Sequence, residues 1–362
     1  LGETVTPCMS GLRDHLIARI SEGGPITLAD YMATCLMHPE HGYYATRDPF
    51  GAGGDFITAP EISQMFGELI GLCLAQCWLD QGAPARIALA EAGPGRGTLM
   101  ADILRATKGV PGFHDAAQLH LIETSPTLRD IQSKTIARPD ITFHERADTL
   151  PSLPLYLVAN EFFDALPICQ FERDGDGWRE RLIGLKEGQL AVGLGGPAAL
   201  PQLAHRLADT KPGDVVETCA PAEASIAVIG ARIDAHGGAA LVIDYGDWRS
   251  LGDTFQALEG HAATDPLANP GNADLTAHVD FEALAKSAVP AAHTRLTPQG
   301  VFLERLGITQ RAQALARNLQ GEALENHIAA HRRLTHATEM GTLFKVLGLF
   351  PKSASPPQGL ET

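Results

Sequence analysis

Nowhere does this sequence string together the roughly 18 apolar residues that a membrane-crossing helix requires. Its first residues lack a basic segment followed by an apolar one, so the expectation is a soluble chain not exported by the general route. Cysteine is scarce, with six in 362 residues: Cys8, Cys35, Cys73, Cys77, Cys169 and Cys219. None forms a CxxC pair, and the fourteen histidines show no zinc or triad spacing, so no metal is expected. Cys73 and Cys77 lie four apart in an apolar helical stretch and read as core thiols, a pattern that suits a reducing compartment. Positive charge is also short: 28 basic against 43 acidic side chains leave a net −15. Such a surface repels nucleic-acid phosphates and argues against a broad non-specific interface with them; a basic substrate fits better. There is no internal repeat. What remains is an ordinary globular composition, 44% hydrophobic and 20% charged, with ample material for a core.

The rhythm of the chain changes near residue 85. Residues 1–82 read as a helical cap, with Leu12, Leu16 and Ile20 on one face, a break at His38-Pro39-Glu40-His41-Gly42, a glycine-rich loop at 51–54 and a strong helix over 62–79. Short apolar runs then alternate with helical stretches. Candidate strands are 87–90, 119–122, 141–143, 155–159, 239–243 and, last, 344–347, with a helix over 99–106. Continuous rather than alternating apolar strands between helices predict a parallel sheet buried on both faces, an α/β fold. The core is expected in two halves, 83–170 and 237–350, the second carrying a helical insertion over 303–340. The insertion 171–236 holds an antiparallel meander, 168–171, 178–185 and 189–192, turning at Asp174-Gly175-Asp176-Gly177 and Lys186-Glu187-Gly188. The proline-bearing tail, 351–362, is expected to be disordered.

Between the first strand and its helix stands Glu91-Ala92-Gly93-Pro94-Gly95-Arg96-Gly97-Thr98. Glycines in such a turn let the backbone approach a ligand, and the helix beyond offers free N–H groups. In open α/β sheets ligands sit at the carboxyl ends of the strands. Two details separate this turn from a dinucleotide site. Its spacing is GxGxG rather than GxGxxG, and an acid closes the strand where a pyrophosphate would be repelled. The combination suits a cofactor bearing an ammonium and a sulfonium, S-adenosylmethionine. Glu123, after the second strand, is placed to bind ribose hydroxyls, a feature shared with NAD enzymes. The fourth strand ends in Asn160-Glu161-Phe162-Phe163-Asp164-Ala165-Leu166-Pro167. Polar residues leaving an apolar strand are costly unless satisfied or used. Glu161 and Asp164 either hold a cationic nucleophile or cap the loop, and Asn160 binds cofactor or substrate. Tyr245 and Asp247, after the fifth strand, either shape the substrate site or close a turn; His278 reads as structural.

Long, particular motifs in this chain resemble those of the MidA-like methyltransferases. They include Gly24-Pro25-Ile26 with Tyr31-Met32, PEHGYY at 39–44, DFITAPE at 55–61, Phe66-Gly67-Glu68, EAGPGRGTLM at 91–100, NEFFDALP at 160–167, VIDYG at 242–246 and DLTAHVDF at 274–281; Met340-Gly341 and 344–347 complete the set. The resemblance spans about residues 15–350. It implies a class I, Rossmann-like seven-stranded methyltransferase sheet with an N-terminal helical cap. The family includes the mitochondrial complex I assembly-factor protein arginine methyltransferases. It thus implies symmetric dimethylation of an arginine in a protein substrate, a subunit of the NADH:quinone oxidoreductase, in the cytoplasm of a bacterium or the mitochondrial matrix of a eukaryote.

The cofactor set is then Glu91, Gly93, Pro94, Gly95, Gly97, Thr98, Glu123, Ser125, Asp148 and Asn160, with Thr58 and Pro60; the catalytic set is Glu161, Asp164 and Asn160. The paired-glutamate loop of common arginine methyltransferases is absent, so Asp164 or a cap residue must replace the second glutamate. Two rivals stay open: a non-catalytic assembly factor that binds the cofactor, and an NAD(P)-dependent oxidoreductase, against which Glu91 and the glycine spacing count.

Overall fold

The computed structural model describes residues 11–46 and 58–362. The glycine-rich loop at 51–54, the first three residues of DFITAPE and Cys8 lie outside the described residues. By contact the described residues form two compact units, one from residues 11–46, 165–220 and 251–277, the other from 58–164, 221–250 and 278–362.

The larger unit is built on the predicted sheet. Its strands are β1 (Ile87–Ala92), β2 (Ala117–Ile122), β3 (Ile141–His144), β4 (Leu155–Asn160), β5 (Gly238–Asp247), β6 (Ala292–His293) and β7 (Phe344–Phe350), in the order β3-β2-β1-β4-β5-β7-β6. The pairs among β1 to β5 are parallel, and β7 runs antiparallel to both β5 and β6. Two short strands, Val279–Asp280 and Thr297–Pro298, add to β5 and β7. Every residue of β1 and β4 is buried, which explains why their sequences run apolar without alternation.

Helix Gln64–Asp80 covers the sheet and packs on helix Thr98–Thr107 through two glycines one turn apart. A Cβ at Gly67 would lie 2.6 Å from Asp102 Cβ, and one at Gly71 would lie 2.9 Å from Ile103 Cα. The same helix buries Glu68, which accepts hydrogen bonds from Arg105 at 2.8 Å and Arg311 at 2.7 Å. A buried acid with two guanidinium partners is satisfied where it stands.

The C-terminal tail overturns the expectation of disorder. Leu360 is 6% exposed within the main core, Cys73 Sγ meets Gln358 O at 3.5 Å, and Arg295 N–H donates to Glu361 O at 2.7 Å. Composition pointed to disorder, but one leucine buried in the same core as Phe302 anchors the segment. The stretch read as helical over 303–340 is divided among Gln299–Arg305, Ile308–Ala316, Gly321–Thr335 and Met340–Leu343.

The smaller unit holds the meander, Cys169–Asp174, Gly177–Lys186 and Gln189–Ala198, joined by Ile26–Thr27 and by Val215–Thr218, a strand not read from the sequence. Glu187 and Gly188 both adopt positive φ, +53° and +76°, as a two-residue hairpin turn demands. A three-stranded sheet, Gln256–Glu259, Ala262–Thr264 and Asp274–Thr276, was also missed because its strands are only three or four residues long. Leu12, Leu16 and Ile20 pack with Tyr31, Met32 and Ile183 in this unit's core.

Candidate active site

Where β1 ends, the chain turns on three glycines in the left-handed region, Gly93 (φ +63°), Gly95 (+53°) and Gly97 (+83°), before helix Thr98–Thr107 begins. This is the conformation in which a side chain is strained and glycine is not. The turn is pinned from several sides. Gly97 N–H donates to Pro94 O at 2.7 Å, Gly93 N–H donates to Ile122 O at 3.1 Å, and Gln132 Nε2 donates to both Gly95 O and Glu123 Oε2. Thr98 Oγ1 donates to Glu61 Oε1 at 2.5 Å, tying in the short helix Ala59–Ile62.

A cleft opens beside this turn, lined by Thr58, Pro60, Glu61, Glu91, Gly93, Pro94, Gly95, Arg96, Thr98, Leu99, Asn160 and Glu161. Eight of the residues assigned to cofactor from sequence are therefore brought together: Glu91, Gly93, Pro94, Gly95, Thr98, Asn160, Thr58 and Pro60. Glu61, Arg96 and Leu99 were not singled out. Glu61 and Arg96 lie inside the quoted motifs, but nothing in their spacing marks them.

Glu91 is 2% exposed, and its Oε2 has no hydrogen-bond partner among the described residues. Burial pushes its carboxyl up to about 8, against one opposing hydrogen bond from the backbone of Met100. Asn160 is also buried, with Oδ1 likewise unpartnered while Nδ2 donates to Glu161 Oε1 at 3.0 Å. Glu161 takes φ +51° at the end of β4, and its Oε1 also accepts from Ala59 N–H at 3.1 Å. Its carboxyl is pushed up to about 7, first by burial and then by the negative charge of Asp164. Asp164, 6% exposed, stands beside it without lining the cleft.

Other sequence candidates lie off this cleft. Glu123 accepts from Ser125 N–H at 2.8 Å and from Gln132, and Ser125 caps helix Pro126–Ile136. Asp148 is exposed and pairs with Arg146 at 2.5 Å. Gly97 holds the turn, where a Cβ would press on Ile136 at 3.2 Å. Asp247 accepts Trp248 N–H at 2.7 Å in a turn, and the His278 ring meets the Tyr245 ring edge-on with centroids 5.4 Å apart. Sequence reasoning passed over Asp244, which is fully buried under the Glu161 loop; its signal was an acid closing the apolar run 239–243.

Two buried, unpartnered acceptors on one cleft wall need a ligand with N–H donors, preferably cationic. The turn beside them leaves room for close backbone approach. These residues fit an amino-acid-bearing sulfonium nucleoside. A family model described as putative S-adenosyl-L-methionine-dependent methyltransferase matches residues 69–300.

The chain belongs to that methyltransferase family.

Its cofactor is accordingly S-adenosylmethionine. The chain is 36% identical to the Xenopus tropicalis protein arginine methyltransferase NDUFAF7, mitochondrial, over 95% of this chain and 86% of the relative. It is 35% identical to the human protein of the same name, over 96% and 84%. A crystal structure of a superfamily member from Burkholderia thailandensis, bound to S-adenosyl-homocysteine, superposes with TM-score 0.82 at 30% identity, covering 96% of this chain and 93% of that one. The sheet order described above is thus that of an S-adenosylmethionine-dependent methyltransferase.

Proposed function

We propose that this methyltransferase modifies an arginine side chain of a protein, to symmetric dimethylarginine, and that its substrate is a subunit of the NADH:quinone oxidoreductase. The observation that carries the reading is Glu161, an acid poised near neutrality at the end of β4, on the same cleft as Glu91 and the glycine turn. Two relatives named as protein arginine methyltransferases, and the net charge of −15 that favours a basic partner, support it.

Glu91 and Asn160 would hold the amino-acid end of the cofactor through the acceptors they leave unmatched, Gly93 to Gly97 would carry its body, and Glu123, beyond the cleft but joined to the turn through Gln132, would take the ribose. Bound there, the cofactor supplies an electrophilic methyl group on a sulfonium. A guanidinium is protonated below pH about 12 and is a poor nucleophile while charged. Glu161 Oε1 is engaged by Ala59 and Asn160, which fixes the carboxyl and leaves Oε2 to grip a substrate N–H and receive its proton. Asp164 adds the second negative charge, in place of the paired glutamates absent here. Orientation of this kind can supply roughly 7–11 kcal/mol at best.

The test is mass spectrometry of methylarginine sites in the host with and without this chain, paired with transfer of tritiated methyl groups into lysate proteins. Methylarginine sites that vanish with the chain support the reading. An unchanged set of sites, with label arriving on another residue type, refutes it. The compartment is the matrix for a mitochondrial source, the named relatives being mitochondrial, and the cytoplasm for a bacterial one.

A further inference from the structure

We propose that Asp244 is the positioning residue of the methyltransferase loop at 160–164, its buried carboxylate fixing where Glu161 and Asp164 stand. This rests on the reading of that loop as the one that meets substrate. The strands β4 and β5 are parallel, with Ile243 opposite Asn160, and the ladder continues one bond further, Glu161 N–H donating to Ile243 O at 2.9 Å. Glu161 then turns the chain with φ +51°, and the next three N–H groups leave the ladder. All three find one atom. Asp244 Oδ2 accepts from Phe162 at 3.2 Å, Phe163 at 3.0 Å and Asp164 at 3.3 Å, while Oδ1 accepts from Tyr245 N–H at 2.9 Å.

Three N–H groups, those of Phe163 and Asp164 buried, converge on one fully buried oxygen and would go unmet without an acceptor there. The same grip holds Phe162 against the glycine turn, where its Cδ2 lies 2.8 Å from the place a Cβ on Gly93 would occupy. Asp244 thereby connects the glycine turn to the two carboxyls beyond it. The charged groups that face this centre are Glu161 and Asp164 from the loop and Arg333 from helix Gly321–Thr335, whose charge reaches Glu161. Lys345, opposite Asp244 in the β5–β7 register, spends its ammonium on the carbonyls of Gly246, Thr342 and Leu343.

The experiment compares Asp244→Asn, Glu161→Gln and the double variant. Calorimetry measures S-adenosylhomocysteine affinity, and tritiated methyl transfer from S-adenosylmethionine into host lysate proteins is followed from pH 6 to 9. Asp244→Asn should bind S-adenosylhomocysteine within about threefold of the parent yet transfer about 100-fold more slowly, the scale of a misplaced reacting group. The loss should fall on kcat while KM for S-adenosylmethionine stays within about threefold, a split that a general loss of structure would not give. The double variant should be no slower than Glu161→Gln, since both act through one group. Transfer within threefold of the parent, or losses that multiply in the double variant, overturns the proposal. If Glu161→Gln keeps full transfer while Asp244→Asn loses it, the reading of the loop falls first and this inference with it. Hydrogen exchange of the unaltered protein needs no variant to fold. The amides of 162–164 should be strongly protected, and exchange at the rate of an exposed loop would refute the grip.

Discussion

Glu91→Gln separates what this acid costs the fold from what it gives the ligand. With its carboxyl near 8, the free protein carries a proton there in about ten of eleven molecules at pH 7. A cationic ligand must displace that proton to meet a carboxylate. Binding at pH 7 should therefore release about 0.9 proton per ligand. Relative to its limit above pH 8, affinity should weaken about tenfold at pH 7 and about 100-fold at pH 6. The stability effect has the opposite sign. The native state holds a proton that the unfolded chain, with an ordinary carboxyl near 4.5, has lost, so stability falls as pH rises from about 4.5 to 8. At pH 8 the cost is on the order of 4 kcal/mol, from the roughly 1.4 kcal/mol that each pH unit of displacement carries. Glu91→Gln should erase both slopes, giving a more stable protein at pH 8 that binds S-adenosylmethionine more weakly and without release of protons. Calorimetry at pH 6, 7 and 8 in buffers of different ionisation enthalpy reads the protons and the affinity, and urea titrations read the stability. Wild-type affinity that stays level across this range, with no proton released, would refute the placement of the cationic end on Glu91.

Three further outcomes are expected. Glu161→Gln should keep S-adenosylhomocysteine affinity within about threefold and lose transfer by about 100- to 1,000-fold, while in the parent kcat/KM should rise with pH through about 7 as the Glu161 carboxyl ionises; transfer at the parental rate removes Glu161 from the chemistry. Gly93→Val places a branched side chain at φ +63° where the Cβ alone lies 2.8 Å from Phe162, so titration with S-adenosylmethionine should detect no binding at concentrations that saturate the parent, and an unchanged affinity defeats the placement. The buried His120 meets His144 at 2.9 Å, and burial lowers it to about 4, so stability should be lost as pH falls from about 6.5 towards 4, by about 3 kcal/mol at most. His120→Phe should flatten that decline in urea titrations, and an identical slope in the variant assigns the acid sensitivity elsewhere.

The sheet was legible because each parallel strand is buried on both faces and so reads as an unbroken apolar run; β1, β2, β4 and β5 fall within a few residues of the expected positions. The glycine turn was legible because three left-handed positions in five residues leave little choice of residue. What sequence could not give is convergence. Glu61 reaches the cleft through Thr98 from 37 positions away, and Asp244 meets the loop at 162–164 from about 80 away. Along the chain both look like ordinary polar ends of apolar segments. The tail misled for a related reason: proline content is local, whereas the seat of Leu360 is assembled from distant residues.

Buried acids in this chain fall into two kinds, and the difference separates support from chemistry. Glu68 is deep in the protein yet held by Arg105 and Arg311, so its charge is met inside the fold. Glu91, Glu161 and Asp244 are buried with no such pair of guanidinium bonds; each has its carboxyl pushed upward, Asp164 adds its charge to two of them, and the charge of Arg333 offsets only part of the rise at Glu161. Protein folding alone gives no reason to gather four carboxyls at the carboxyl ends of β1, β4 and β5, because burial opposes their ionisation and, among Glu161, Asp164 and Asp244, so does the charge of the neighbours. A cation that enters from outside, first a cofactor with its ammonium and sulfonium, then a basic substrate, favours their charged forms. Ligand binding must therefore stabilise this protein more at pH 8 than at pH 6. Neutral replacements at these positions must trade function for stability, whereas a neutral replacement at Glu68 leaves two guanidinium groups without their partner and gains nothing.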